Sequence, residues 1–330
     1  PDLTYQQFKT FHETYYHPSN AKIFFYGDDD PEKRLELLDE YLQEFNPIDL
    51  DSMPSLQEPF TTPVRKIIPY DAGDELENSK NYLTVNWLLP EGDQSELVLS
   101  LEILDHILLG TPASPLRKVL IESGLGEDVV GRGLTTEMRQ MAFSTGMRGI
   151  KEENVDAVEA LITSSLEKIA SEGIDPKTIE ASLNTIEFSL RENNTGPYPR
   201  GLIVMLRSLE NWLYDHDPIE PLAFQNTLDS IKNKLTTGEL RFENLISQYI
   251  TSNPHRVTVI LQPDSSIGIE KVAKEKERLK KVQENLDENA INQIIQDTLE
   301  LKRIQETPDT PEALATIPML TKADLDPFIK

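Results

Sequence analysis

Three side chains capable of metal-binding or acid–base chemistry lie within one predicted helical turn of LEILDHILLG, residues 101–110. Glu102, Asp105 and His106 are spaced i, i+3 and i+4, so a helix would bring them together on one surface. Two carboxylates and an imidazole could ligate a divalent ion or exchange protons with a substrate. The segment therefore predicts either a site or a polar stripe that only resembles one.

The residues around this stripe predict a buried helix. Asp93 and Glu96 have capping-box spacing and Gly110 ends the apolar pattern, so we expect a helix over residues 94–109. Apolar side chains cover most of the remaining surface: Leu97, Leu99, Leu101, Ile103, Leu104, Ile107 and Leu108. The polar stripe of such a helix must face a cavity, a partner or water. Buried polar groups are satisfied by hydrogen bonds more often than by ions, which favours the hydrogen-bonded interpretation over a metal site.

The composition narrows the class of protein. The chain has 330 residues, 38% of them hydrophobic and 27% charged, which is typical of a soluble globular protein. Its formal net charge of -25 disfavours nucleic acid and anionic lipid and favours cationic partners such as basic peptides. The absence of cysteine excludes disulfides, thiolate zinc sites and cysteine nucleophiles. No apolar run is long enough to span a membrane, and a chain that opens on Pro1 is expected to be part of a longer polypeptide.

The first 50 residues and the following stretch predict a separate segment and a linker. We expect a short strand over residues 21–26 and then a helix with Pro31 in its first turn. Four prolines without periodicity lie between residues 46 and 63, so we place a linker at 51–63. A domain boundary is expected there.

Residues 64–263 predict one α+β domain. Strand patterns occur at 82–89, 141–150 and 256–263, and helical patterns occur at 151–173 and from Asp175 onward. Residues 264–310 then predict a helical hairpin whose second arm is capped by Asp287. Residues 311–330 are expected to begin a connection to further domains.

The stretch EILDHILLGTPASP resembles the active-site helix of inverted zinc peptidases of the pitrilysin type, whose motif is H-x-x-E-H. Glu102 stands where the motif has its first histidine, Asp105 stands at the glutamate, and His106 stands at the second histidine. The family takes a third zinc ligand from a glutamate on a later helix, and Glu187 in NTIEFSLREN is similar to that position. The resemblance therefore makes these four residues a degenerate echo of a zinc site.

Further stretches extend the resemblance over nearly the whole chain: YYHPSNAKIFFYGDDDP, LDHILLGTPASPLRKVLIESGLGE, NTIEFSLRENNTGPYPRG and QETPDTPEAL. They are similar to the organellar peptide-degrading branch of the pitrilysin family. The resemblance implies a pitrilysin or mitochondrial-processing-peptidase-like fold, with a mainly antiparallel sheet covered by helices and a C-terminal helical hairpin. On this basis residues 1–50 are the tail of a catalytic domain, 64–263 a second, non-catalytic domain, and 264–310 the hairpin between two halves.

The departures from the motif argue against zinc in this chain. Glutamate replaces a histidine ligand, and Asp105 is one methylene too short to reach a bound water as the motif's glutamate does. Glu187 also precedes Arg191 by four residues, the spacing of an ordinary helical ion pair. Arg191 and Arg200 flank the loop NNTGPYP and could bind a peptide carboxylate, although a simple helix terminator is favoured there.

The resemblance implies an ATP-independent zinc metalloendopeptidase that degrades targeting presequences and other short unfolded peptides in an enclosed chamber. Zinc would be bound outside this chain, and no cofactor or catalytic residue is expected within it. The expected partners are basic targeting peptides and the remaining domains of a monomeric enzyme. The expected location is the mitochondrial matrix or chloroplast stroma in a eukaryote, or the cytoplasm in a bacterium or cyanobacterium. A non-catalytic scaffold subunit and a stand-alone peptide-binding module are the alternatives.

Overall fold

The structure, a computed structural model, describes residues 3–73, 80–193, 195–319 and 321–322. The chain divides into two compact units, Pro1–Asp264 and Ser265–Lys330. Within the described ranges, no helix is both long enough and apolar enough to cross a membrane.

A five-stranded sheet runs through the described part of the first unit. Its strands are β1 (Val64–Asp71), β2 (Asn81–Glu91), β3 (Asp128–Thr135), β4 (Gln140–Ile150) and β5 (Arg256–Asp264). They hydrogen-bond in the order β1-β5-β2-β4-β3, with β1 and β5 parallel and the other neighbouring pairs antiparallel. The predicted α+β class with a mainly antiparallel sheet is thus confirmed. The predicted strands correspond to β2, β4 and β5, whereas β1 and β3 lack a sequence pattern that would have identified them.

Helices make up much of the rest of the first unit's described part, and some of them pack on the sheet. Those of the first unit are α1 (Tyr5–Tyr15), α2 (Pro31–Leu42), α3 (Ser95–Leu109), α4 (Pro115–Glu122), α5 (Val155–Glu172), α6 (Pro176–Glu192), α7 (Arg200–Trp212), α8 (Phe224–Thr237) and α9 (Phe242–Ile246), and a π-helix over Ser247–Thr251 follows α9. α5 ends where Gly173 adopts a φ of 92°, which a side chain would disfavour. The Asp175 carboxylate then accepts a hydrogen bond from the Lys177 amide at 3.0 Å and starts α6. Local capping chemistry therefore explains both predicted boundaries.

The core lies between the sheet and the helices that pack on it. Alternate residues of β2 face the core and are buried: Leu83, Val85, Trp87 and Leu89. α5 packs on β2 and β4 through a face that includes Val158, Ile162 and Leu166, while α3 lies among α4, α6, α8 and β3. Because neighbours surround α3, its nearly continuous apolar surface is buried, as its sequence predicts.

The predicted capping box at the start of α3 is wrong. Gln94 is the N-cap residue, and no side chain caps the helix. The Glu96 carboxylate instead accepts hydrogen bonds from Lys234 and from the Ser230 hydroxyl, both on α8. A tertiary ion pair with a lysine outweighs the local hydrogen bond that the spacing of Asp93 and Glu96 suggested.

The segment before the sheet only partly follows its prediction. Asp30 caps α2 with Pro31 in the first turn, as expected, but residues 21–26 form no strand. A strand needs a neighbouring ladder, and no described strand pairs with this segment. It lies instead against the start of α7, where the Tyr26 ring comes so close to Gly201 that an added β-carbon would be 2.6 Å from the Tyr26 Cδ1 atom. Only glycine permits this approach.

The second unit consists of helices in its described part. They are α10 (Ser266–Glu284), α11 (Glu288–Glu306) and α12 (Pro311–Leu314). The Asp287 carboxylate accepts a hydrogen bond from the Ala290 amide at 2.7 Å and caps α11, as the sequence predicts. Of the expected connection over residues 311–330, positions 320 and 323–330 lie outside the described residues.

Candidate functional site

The polar stripe of α3 faces a cavity of about 270 Å³ beside β3 and α6. Glu102, Asp105 and His106 all line it, together with Leu134 and Ile186. The spacing in the sequence therefore does bring the three polar side chains to one place. Their hydrogen bonds determine what they can do there.

Asp105 joins α3 to β3. Its Oδ1 atom accepts a hydrogen bond from the Leu134 amide at 3.2 Å. Gly133 has a φ of 65°, and a β-carbon at this position would collide with the Asp105 carboxylate. Burial raises the pKa of Asp105 to about 6, and the hydrogen bond from Leu134 offsets part of that rise. Asp105 thus accepts a hydrogen bond from the strand, with its carboxylate packed against the backbone.

His106 joins α3 to α6. Its Nδ1 atom lies 3.0 Å from the hydroxyl oxygen of Ser182, a buried residue. The direction of the hydrogen bond follows the tautomer, since either atom can donate. With one ring nitrogen engaged and the carboxylate of Asp105 bound to β3, two of the three stripe residues have structural partners.

Glu102 differs from its neighbours on the stripe. No hydrogen bond or ion pair reaches its carboxylate from any described residue. Burial, and then the negative charge of Glu210, raise the pKa of Glu102 to about 7, while the Arg207 guanidinium partly opposes the rise. The surroundings of Glu102 thus favour its protonated form more than water does.

Glu102 also lines a second cavity, of about 150 Å³, formed by α3, α7 and the start of α8. We call it the Glu102–Glu210 cavity. Its other charged lining residues are Arg207, Glu210 and Glu220, and its apolar walls include Val98, Leu99, Leu190 and Phe224. Burial, and then the charge of Glu137, raise the pKa of Glu210, and a hydrogen bond with the Thr136 side chain opposes that rise. Two partly buried carboxyl groups thus line one small cavity.

Glu187 does not line either cavity. Its carboxylate lies 2.5 Å from Lys232 Nζ and 2.7 Å from Arg191 Nη2. The hydrogen bonds from Lys232 and then from Arg191 lower the pKa of Glu187. The fourth residue of the predicted echo is therefore an ion-paired carboxylate near the surface, with the i,i+4 partner that its spacing predicts.

The two candidate arginines occupy different settings. Arg191 is engaged by Glu187, whereas Arg200 is exposed at the first position of α7. Asn194, in the loop between them, lies outside the described residues. Binding of a peptide carboxylate by Arg191 and Arg200 stays a prediction.

The donor set of α3 does not fit zinc. Among the described residues, no group of three histidine, cysteine, aspartate or glutamate side chains is arranged to hold a metal ion. Zinc prefers about four ligands in tetrahedral arrangement, and the free carboxylate here is a single one, Glu102.

Comparison with known proteins identifies the family of this chain. A profile described as "Peptidase M16 inactive domain" matches residues 2–186, more than half of the chain. The chain belongs to the M16 peptidase family. A second profile, for a region associated with the C subgroup of these peptidases, matches residues 261–329 of this M16 chain. The family resemblance noted in the sequence is thereby confirmed.

Curated relatives align with almost the whole chain. Presequence protease 1, chloroplastic/mitochondrial, of Arabidopsis thaliana is 48% identical over 98% of this chain, which covers 31% of that protein. Protein HypA of Clostridium perfringens is 36% identical over 99% of the chain, which covers 33% of it. Presequence protease, mitochondrial, of Xenopus laevis is 30% identical over 100% of the chain, which covers 32% of it. The M16 chain therefore spans about a third of the length of these relatives.

Solved structures share the fold at low sequence identity. A protease from Helicobacter pylori matches 79% of this chain and 59% of its own, with a TM-score of 0.58 and 18% identity. A peptidase M16 inactive domain from Pseudomonas fluorescens matches 80% and 58%, with a TM-score of 0.55 and 16% identity. These matches confirm the peptidase-like architecture of the M16 chain.

Sequence patterns missed the residues that α7 contributes to the site. Arg207 and Glu210 are three positions apart, a spacing typical of a solvated ion pair. In the folded M16 chain both line the Glu102–Glu210 cavity, and Arg207 Nη1 lies 3.4 Å from Asn193 Oδ1. Only the packing of α7 near α3 brings Glu210 within electrostatic range of Glu102.

Proposed function

We propose that this M16 chain is a non-catalytic segment of a zinc metalloendopeptidase that degrades targeting presequences and other short unfolded peptides. The segment would form part of the wall of an enclosed chamber and a hinge between two halves. The observation that carries this proposal is the 48% identity, over 98% of the chain, to an Arabidopsis protein named presequence protease 1. The inactive-domain match is what supports a non-catalytic role.

We assign the proposed roles by segment. Residues 1–50 would be the tail of the catalytic domain, 51–63 a linker, 64–263 the second domain, 264–310 the hairpin and 311–330 the start of a connection. A compact unit that ends at Asp264 and a second profile that begins at residue 261 support a division at that point. The 19-residue helices α10 and α11 suit a hinge arm, because a helix of that length spans about 28 Å.

The catalytic zinc would lie outside this chain, where an intact H-x-x-E-H motif would hold it. Within the chain, Glu102, Asp105, His106 and Glu187 would be remnants of that pattern, with Asp105 and His106 now joining α3 to its neighbours. The substrates would be unfolded peptides, including basic targeting sequences, which the net charge of -25 would attract. In a eukaryote the enzyme would act in the mitochondrial matrix or chloroplast stroma, in line with the names of its relatives.

Two measurements test the proposal. The purified chain, incubated with zinc and a fluorescence-quenched presequence peptide, should give no cleavage, with the Arabidopsis relative as positive control. If the purified chain cleaves the peptide and a chelator abolishes that cleavage, the assignment of this chain as non-catalytic is wrong. Sequencing the gene upstream of the codon for Pro1 should reveal H-x-x-E-H, whereas a degenerate motif there would identify a non-catalytic scaffold instead.

A further inference from the structure

Acidic side chains outnumber basic ones in the lining of the Glu102–Glu210 cavity. Three carboxylates line it, from Glu102, Glu210 and Glu220, against one guanidinium, from Arg207. Ser95 Oγ donates a hydrogen bond to Glu220 at 2.7 Å, and Thr136 hydrogen-bonds Glu210. Two of the carboxyl groups therefore have hydrogen-bond partners. The third, Glu102, has no such partner among the described residues.

A carboxylate without a direct partner is costly where the protein partly shields it from water. Within the described residues, Arg207 forms no ion pair that would neutralise Glu102, and its recorded side-chain hydrogen bond goes to Asn193. The Glu102 side chain is partly buried and lines the cavity. A group held in an unfavourable state by its surroundings marks a candidate binding site, because a ligand of opposite charge would relieve the cost.

The size and walls of the cavity restrict its occupant. A volume of about 150 Å³ is below the roughly 300–1,000 Å³ of pockets for drug-sized ligands. It suits one side chain, since a cavity of about this volume holds a group the size of benzene. The apolar walls that Leu99 and Phe224 provide would pack against a methylene stem, and the carboxylates would meet its charged end.

We propose that the Glu102–Glu210 cavity binds the cationic side chain of a peptide, with an arginine guanidinium seated between the carboxylates of Glu102 and Glu210. A guanidinium fits because its planar fork donates to two carboxylates at once, whereas an ammonium is a compact point charge. This inference rests on the proposed function in one respect, that the ligand is a peptide. It adds a specificity site for basic residues.

The excess of acidic side chains disfavours anionic ligands. A peptide carboxylate or a phosphate would meet three carboxylates and one guanidinium, so the cavity should reject anions. A divalent cation is disfavoured because no described group of three ligating side chains is arranged around a metal position. A monovalent organic cation is the ligand class that fits.

Binding of a small probe to the full 330-residue chain tests the inference. The probe is Nα-acetyl-arginine N-methylamide, and its control is the citrulline analogue, which has nearly the same shape but no charge. By chemical-shift titration we expect saturable binding of the arginine probe, at least about tenfold tighter than that of the citrulline probe. Equal binding of both probes, or no saturable binding of either, would overturn the inference.

Variants locate the binding. Glu102→Gln and Glu210→Gln should each weaken binding of the arginine probe about tenfold or more. Each substitution removes one carboxylate and leaves the size of the side chain nearly unchanged. Glu122→Gln, at an exposed carboxylate on α4 that pairs with Lys118, is the matched control and should bind as the parent does. Unchanged binding in both Glu102→Gln and Glu210→Gln would place the probe elsewhere and contradict the inference.

Two further readouts separate binding from structure and from the proposed function. Circular dichroism should show both variants folded, and the unfolding midpoint of Glu102→Gln should equal or exceed that of the parent, which a purely structural carboxylate would not do. Failure of the arginine probe would overturn the inference and leave the proposed function standing. A degenerate motif upstream would overturn the proposed function without altering the binding result.

Discussion

Two glutamates of the first unit, Glu102 on α3 and Glu187 on α6, show how position decides what a carboxylate can do. Glu187 lies near the surface between Lys232 and Arg191, and these partners lower its pKa. Glu102 is partly buried, lines a cavity with another carboxyl group and has no direct partner among the described residues, and its pKa rises to about 7. Glu187 is satisfied by two ion pairs, whereas Glu102 has no ion pair within the described residues.

The family resemblance places these two residues in one eroded zinc site, but the structure assigns them to different neighbours. α6 faces the α3 stripe with Ser182 and Ile186 and directs Glu187 toward α8. Glu102 and Glu187 therefore have different neighbours in the folded chain, although both resemble positions of one zinc motif. Changes at each residue test this contrast.

The largest effect is expected from the apolar side of α3, which fixes the stripe in place. Leu104 is 2% exposed, and Leu104→Ala should lower the free energy of unfolding by roughly 2–5 kcal/mol because it leaves a cavity in the core. Urea denaturation measures the change. Leu301→Ala, at an exposed position of α11, is the control and should change stability by no more than about 0.5 kcal/mol. Equal effects would show that α3 is not part of a packed core.

The second prediction concerns Glu102, where a substitution should raise the free energy of unfolding and not lower it. The pKa of Glu102 is raised from the ordinary glutamate value of 4.5 to about 7 in the folded chain. The contribution of the protonated Glu102 to stability is therefore full below about pH 4.5 and is lost as the pH rises through 7. Glu102→Gln should therefore raise the free energy of unfolding at pH 8 by roughly 1–3 kcal/mol and change it little at pH 4. Urea denaturation at the two pH values measures both. A loss of stability at pH 8 would show that Glu102 has a partner.

A smaller effect of the usual sign is expected at Glu187. Its pKa is lowered, so its stabilising contribution is present above the ordinary pKa of a glutamate and is lost as the pH falls through the lowered value. Glu187→Gln should lower the unfolding midpoint slightly at pH 7 and low salt, and the difference should shrink at high salt. Thermal unfolding at two salt concentrations measures this. A salt-independent loss would argue for a packing role.

The polar stripe of α3 should not bind zinc. Added zinc should leave the thermal unfolding midpoint of the chain unchanged, because Asp105 and His106 are engaged by Leu134 and Ser182. His106→Ala should respond to zinc in the same way as the parent. A rise in midpoint that Glu102→Ala or His106→Ala removes would show that a metal site survives.

The sequence predicts most of the elements that build this contrast but not the neighbours that complete it. The apolar pattern of residues 97–108 predicts the burial of α3, and the Asp175-Pro176 cap predicts the start of α6. Local rules fail where a distant partner competes, as when Lys234 engages Glu96 in place of the expected capping box. They fail again at residues 21–26, where an apolar run has no described strand to pair with.

The candidate site divides in the same way. The spacing of Glu102, Asp105 and His106 predicts their shared face, and the interval between Glu187 and Arg191 predicts their ion pair. The role of Arg207 and Glu210 could not be predicted, because the sequence alone indicates a solvent-exposed helix surface for both. Only the packing of α7 near α3 brings them to the cavity. Such tertiary burial, which raises the pKa of Glu102, has no signature within a single element.

The most direct test of the account is the ionisation of Glu102 itself. Carbon-13 NMR of the glutamate side-chain carboxyl groups, assigned with Glu102→Gln, should show one that titrates near pH 7 in the free chain. Saturating Nα-acetyl-arginine N-methylamide should lower that titration point, because a bound guanidinium favours the charged carboxylate. A Glu102 carboxyl that titrates near its ordinary value of 4.5, with or without the arginine probe, would contradict the account.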